Sequence, residues 1–238
     1  MPKLSFISDE KLEASVQHLL TVARNAKVNV MNDINRNVVD PFSILFQMSG
    51  FEISEADWKE SEMIRQAEKT LQNHIGEFHQ KLLGGVSGWQ NLGVGHIIDL
   101  ESVSSKVIAE VKNKYNTMSG GKLANLYKDL EDQVMPKHSK YKDYTAYYVE
   151  IIPKKKSRYN KEFTPSDKSV GGRCASNPLI RQIDGASFYA MVTGQEDALA
   201  QLFNILPEVI EAICKNTNGY TFKDRSFAQS FFNSAFGE

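Results

Sequence analysis

"GHIIDLESVSSKVIAEVKNKYNT", residues 95–117, is the stretch on which the fold turns. It reads as two short strands joined near Ser104-Ser105, an antiparallel hairpin. Ile108, Glu110 and Lys112 alternate with Ala109 and Val111, so Glu110 and Lys112 share one face. With the turn centred on the two serines, Asp99 lies opposite Glu110, and such cross-strand neighbours sit roughly 4.5–5.5 Å apart. The hairpin therefore gathers two carboxylates and one ammonium in a small patch. The polar run NKYNT follows directly.

Two adjacent carboxylates repel each other unless a cation joins them. Mg2+ suits that place, because it is a hard ion that takes one or two carboxylates with waters and phosphate oxygens. The carbonyl oxygen of Val111, between Glu110 and Lys112, can complete the shell. Lys112 can orient or deprotonate a water, or stabilise negative charge on a phosphorane-like transition state. This is the chemistry of phosphodiester cleavage. On spacing alone, the same E-x-K pattern also describes a surface ion pair on a solvated edge strand.

Outward from the hairpin, periodicity assigns the remaining elements. Residues 8–27 form an amphipathic helix, with Leu12, Val16, Leu19, Leu20 and Ala23 on one side. A short helix resumes after Pro41. Residues 54–84 form a long helix or a kinked pair, with Ser54 as its cap and Gly84-Gly85 as its stop. Residues 119–134 are an amphipathic helix, and 143–154 a β-branched and aromatic strand. Residues 179–194 read as one or two strands bent at Gly185, and 195–216 as a helix broken or kinked at Pro207. An aromatic tail is expected to pack on the body. The order predicts a mixed α/β (α+β) fold, with a central mixed sheet flanked by helices and an N-terminal helical part. As domains, we expect a single unit over 1–238: a mainly helical part to residue 85, an α/β core over 86–216, and a tail over 217–238.

Composition narrows the classes. The chain has 238 residues, 41% apolar and 24% charged, ordinary for a globular protein. Its apolar runs are too short to span a bilayer, and residues 1–15 lack the apolar core of a signal peptide. Cys174 and Cys214 make neither a disulfide framework nor a zinc motif. A reducing, cytoplasmic setting is therefore expected, with no membrane partner. The net charge of -1 is unremarkable, but its distribution is uneven. From Lys137 to Arg173 basic residues outnumber acidic ones, centred on Lys154, Lys155, Lys156, Arg158 and Lys161 with Tyr159 and Phe163 interleaved. Such a segment is either a solvated loop or an arm for nucleic-acid phosphates. Rival sites are weak. LGVGHI precedes a strand instead of a helix, SGGKL lacks the first glycine of a P-loop, and His74 and His79 do not share a helix face.

The hairpin, with ten residues between Asp99 and Glu110-Val111-Lys112, resembles the PD-(D/E)XK nucleases, although Ile98 replaces the leading proline. More narrowly, the chain resembles the type II restriction endonucleases that cut the interrupted palindrome GGNCC. NVVDPFSILF, KTLQNHIGEFHQKLLGGVSGW, IAEVKNKYNTMSGGK and IRQIDGASFYAMVTGQEDAL carry the resemblance in that order. It implies Mg2+-dependent cleavage of double-stranded DNA that leaves 5′-phosphate ends. Asp99 and Glu110 would be the metal ligands and Lys112 the residue serving the water. The resemblance also adds a carboxylate from an earlier helix, Glu77 ahead of Glu68, and DNA contacts from Asn113, Lys114, Asn116 and Thr117. Guanine is read best by Arg or Lys, and cytosine by a carboxylate. Arg173, Arg181, Gln182 and Asp184 are the corresponding readers, beside Lys155 and Arg158 on the phosphates. A palindrome implies a two-fold homodimer, formed through the N-terminal helices or the aromatic tail. A cytosine methyltransferase would be the genetic partner. A repair nuclease with the same core, or a DNA-binding protein without catalysis, are the competing readings.

Overall fold

The computed structural model describes residues 2–32, 34, 38–93, 95–215, 217 and 219–237. Asn37, where the first matching stretch begins, and the expected boundary residue 216 lie outside them. The chain opens with three helices: α1 (Asp9–Asn32), α2 (Pro41–Phe51) and α3 (Glu55–Gly84). Local chemistry sets their starts. Asp40 accepts from the Phe42 N–H ahead of α2, with Pro41 in the first turn, where its missing N–H costs nothing. Ser54 and Asp57 bond each other reciprocally at the head of α3, a capping box at the expected cap.

The sheet elements are β1 (Gln90–Asn91), β2 (Leu100–Ser102), β3 (Val107–Lys114), β4 (Thr145–Ile152), β5 (Asn160–Glu162), β6 (Ser166–Asp167), β7 (Gly172–Arg173) and β8 (Ile180–Asp184). Six of them form one sheet in the order β1-β2-β3-β4-β8-β5, while β6 and β7 pair separately. β3, β4 and β8 are parallel; β1, β2 and β5 join antiparallel. The sheet is mixed, as expected. Parallel neighbours need a crossover, and α4 (Gly120–Val134) supplies the one from β3 to β4. Its Leu126, Tyr127, Leu130 and Val134 close the core over Ile108, Ala146, Tyr148 and Ile180. The opposite face receives α5 (Gly185–Thr193), whose Phe188 ring meets Tyr147 and Trp89 at 6.1 and 5.6 Å. Then come α6 (Ala198–Lys215) and α7 (Arg225–Phe236). The tail does carry a packed aromatic: Phe232 is buried and stacks on Phe203 at 4.5 Å.

The described residues fall into two compact units, one of residues 16–78 and one of residues 1–15 with 79–238. No helix among them is long and apolar enough to cross a membrane.

Three expectations need correction or narrowing. Residues 179–194 are not strands throughout: the strand ends at Asp184 and a helix begins at Gly185. Asp184 makes the switch by capping α5, its carboxylate accepting the Ser187 N–H at 2.9 Å. The apolar, aromatic run after it reads equally as a buried strand or a buried helix. Of the two readings at Pro207, a break or a kink, the break is excluded, because α6 continues through it. The first strand of the hairpin is paired only as Leu100–Ser102.

Gly185 is needed where it stands. A Cβ there would fall against the Ile151 backbone, 2.6 Å from its Cα. Gly185→Ala is therefore expected to lower unfolding free energy by at least about 1–3 kcal/mol. An unchanged urea midpoint would show that α5 can move off β4 freely.

Candidate active site

The hairpin register places the site. Leu100 faces Ala109, Glu101 faces Ile108 and Ser102 faces Val107, the register that a turn on Ser104-Ser105 requires. Asp99 sits one step beyond β2. Its N–H donates to the Ala109 carbonyl at 2.9 Å, and its Oδ2 accepts the Val111 N–H at 2.7 Å. That second bond turns the carboxylate toward β3. Asp99 and Glu110 come close enough for their carboxyl groups to hydrogen-bond each other. Lys112, two residues on along the same face, donates its ammonium to Glu110 Oε1. Asp99, Glu110 and Lys112 are thus brought together.

The N–H and carbonyl of a strand residue point to the same side. The Val111 carbonyl therefore faces Asp99's side and not β4, and it accepts a long 3.4 Å bond from Gln80 Nε2. The Gln80 amide is also near enough to Asp99 to help hold its carboxylate down. The sequence reading missed Gln80, a single amide in the matching stretch around the end of α3, with nothing in its spacing to mark it. Glu150 was also missed. It is buried on β4 in register with Lys112, and Tyr159 donates its hydroxyl to it. Its signal was legible: one carboxylate inside the apolar run TAYYVEII.

Burial sets the electrostatics. The side chains of Glu110 and Lys112 are 13% and 26% exposed. Burial first, then the charge of Asp99, push the Glu110 carboxyl up to about 7, against the opposing pull of Lys112. Burial also raises Asp99, while the Val111 N–H and the Lys112 ammonium hold it down. Two crowded carboxyls resist joint ionisation, and a cation beside them would relieve that repulsion. Beside them, the Tyr148 hydroxyl is buried without a well-formed hydrogen bond, raised by burial and by the charge of Glu150.

The expected DNA contacts divide. Asn116 and Thr117 are exposed in a turn in which Thr117 Oγ1 donates to the Lys114 carbonyl at 2.7 Å. Lys155 and Arg158 are exposed, but Arg158 is paired with Glu196 at 2.5 Å. Arg173 is exposed on β7, donating to the Thr164 carbonyl at 3.2 Å. Arg181 is held by Asn160 at 2.6 and 2.8 Å, and Gln182 is half-buried beside it. Asn113 falls on the opposite face of β3 from Glu110 and Lys112, with its Oδ1 buried. Asp184 is the clear correction. It is 1% exposed and spends both oxygens inside the fold, on the Ser187 N–H and, at 2.6 Å, on the Tyr159 N–H. Glu77 belongs to the unit of residues 16–78, where His74 Nδ1 bonds it at 2.9 Å. Glu68 is exposed and bonded to Gln72 at 2.6 Å.

The loops around the site share an origin. β3 and β4 are parallel, with Lys114 in register with Ile152, and the Tyr115 N–H donates to the Ile152 carbonyl at 3.1 Å. The polar run after β3 and the basic run after β4 thus leave the sheet at the same end, where parallel sheets place their ligands.

A family model described as Eco47II restriction endonuclease matches residues 4–215. The chain is 49% identical over 240 residues to the type II restriction enzyme Eco47II of Escherichia coli, with the whole of both chains covered. It is 35% identical over 212 residues to the type II restriction enzyme Sau96I of Staphylococcus aureus, covering 87% of this chain and 80% of that one.

The raised carboxyl gives a pH test. A carboxyl whose pKa is higher folded than unfolded costs stability as pH rises from its ordinary 4.5 through about 7. Above that window the penalty is complete. Glu110→Gln removes it, so without divalent cations the variant should overtake wild type between pH 5 and pH 8, by on the order of 2 kcal/mol at the upper end. Urea melts at both pH values measure this, and parallel curves would refute the repulsion.

Proposed function

Because the chain belongs to the Eco47II restriction endonuclease family and is a type II site-specific DNA endonuclease, we propose that it hydrolyses GGNCC-like sites with Mg2+, through Asp99, Glu110 and Lys112, and leaves 5′-phosphate ends. The observation that carries this reading is the half-buried Asp99–Glu110 pair with the Lys112 ammonium against it.

The donor set is all oxygen and doubly acidic, which fits a hard divalent ion. Asp99, Glu110 and the Val111 carbonyl would hold Mg2+, and the ion when bound supplies Lewis-acid polarisation of the scissile phosphate. The chain's own groups do the rest. Val111 N–H fixes the Asp99 carboxylate, and Gln80 steadies both Asp99 and the Val111 carbonyl. Lys112 orients the attacking water and offsets charge on the phosphoryl oxygens. Water adds to phosphorus, the bond to the 3′ oxygen breaks, and the 3′ hydroxyl leaves. Asn116, Thr117 and Lys155 grip the backbone from the shared end of the sheet, and Arg173 is the exposed candidate for reading a guanine.

A two-fold site calls for two copies of the chain. Phe42, Leu45 and Phe46 form a stripe on α2, and with Phe51 they are 66–78% exposed, while no residue of α2 is buried. Each phenylalanine can bury about 150–250 Å2, so Phe42 and Phe46 on this stripe supply roughly half of the ~800 Å2 per partner of a standard interface. We assign the homodimer contact to this face. A neighbouring gene for a DNA cytosine methyltransferase is the expected genetic companion.

Plasmid DNA with Mg2+ should give discrete bands with wild type, and cleavage should fall by about a hundredfold or more in Lys112→Ala and Glu110→Ala. Unspecific degradation, or cutting that survives both substitutions, would sink the assignment. Phe46→Glu should shift the chain from dimer to monomer in sedimentation velocity, and a persistent dimer would place the contact elsewhere.

A further inference from the structure

Apart from the acidic site, another cluster stands entirely within the unit of residues 16–78. His74 and Glu77 lie three residues apart on α3, which puts them on one helix face. His74 Nδ1 meets the Glu77 carboxylate at 2.9 Å. His18, from α1, brings its ring edge to His74 with centroids 5.8 Å apart and planes at 74°. One ligand atom from each of the three lies within 4.8 Å of the others. His18 is exposed and the other two half-buried, so an ion can reach them.

The donor types say what would bind. Two imidazole nitrogens and one carboxylate oxygen suit Zn2+ and its later first-row neighbours, whereas Mg2+ favours oxygen alone. We propose that His18, His74 and Glu77 form a transition-metal site, filled by Zn2+, that is chemically separate from the acidic pair on β3. Three protein ligands leave a fourth position to water. The ion takes the place of the proton now shared between His74 and Glu77. It staples α1 to α3 across the segment that carries α2, and it stabilises the folded chain by mass action. Glu77 is then a ligand of this site and not a third carboxylate of the nuclease centre.

The test needs no cleavage assay. In the full-length chain carrying Asp99→Ala and Glu110→Gln, zinc chloride is titrated calorimetrically in the presence of millimolar Mg2+. One zinc per chain is expected, together with a raised melting temperature. His18→Ala and His74→Ala should each weaken binding by at least about tenfold and abolish the thermal shift, while leaving the zinc-free circular dichroism spectrum unchanged. If His18→Ala loses its fold, His18→Gln carries the same test. No zinc binding in the parent, or an undiminished titration in either histidine variant, overturns the site. The second result would place the metal on other groups, such as Cys174 or Cys214.

Discussion

The Val111 N–H points toward a strand that has not yet begun, because β2 starts only at Leu100. Asp99 fills the gap with its side chain, accepting that N–H at 2.7 Å. A buried amide without a partner would cost about 1–3 kcal/mol, so the bond is a fold requirement before it is a catalytic one. It also decides where the carboxylate goes. Held to Val111, Asp99 cannot turn away from Glu110, and the pair is forced together in a half-buried place. The cost of that crowding is the raised Glu110 carboxyl. Gln80, on α3, steadies the same two groups.

A second layer of carboxylates supports the first. Glu150 and Asp184 stand in one row with Lys112 across β4 and β8. Both are satisfied from one residue, since Tyr159 gives its hydroxyl to Glu150 and its N–H to Asp184. Tyr159 thus fastens the end of the basic loop to the sheet. The lysines before it remain exposed while its own backbone is fixed. That combination suits the grip on phosphates proposed for this loop, because an unanchored arm loses more entropy on binding.

Much of this was legible in the sequence, and the misses have physical causes. The hairpin register was readable because a symmetric turn leaves one pairing, and a slip by one residue would turn Ile108, Glu110 and Lys112 together to the face on which Ala109 and Val111 are buried. The capping box at Ser54 and the crossover helix after β3 were likewise local signals. Asp184 was misread because a carboxylate near two arginines looks the same whether it faces a base or caps a helix. Only the three-dimensional path, which brings Tyr159 back to it, separates the two. Gln80 was invisible for a related reason: its partners lie 31 residues away or close to it, and one amide in a helix carries no pattern. The apolar run after Gly185 satisfied strand and helix templates equally, and packing against β4 decided between them.

The position of the site follows from how far the core extends along one face of β3. Ile108 is fully buried under α4, Glu110 is partly so, and Lys112 is more open. Three residues on one face thus pass from core to solvent. The middle position is where a carboxylate is desolvated enough to bind a cation strongly and still open to a phosphate. A deeper Glu110 would be held neutral by desolvation, and a more exposed one would lose its electrostatic hold to water. The chemistry proposed for Asp99, Glu110 and Lys112 would therefore sit where the helix stops covering the strand, and the strand runs past that edge into the loop proposed to meet DNA.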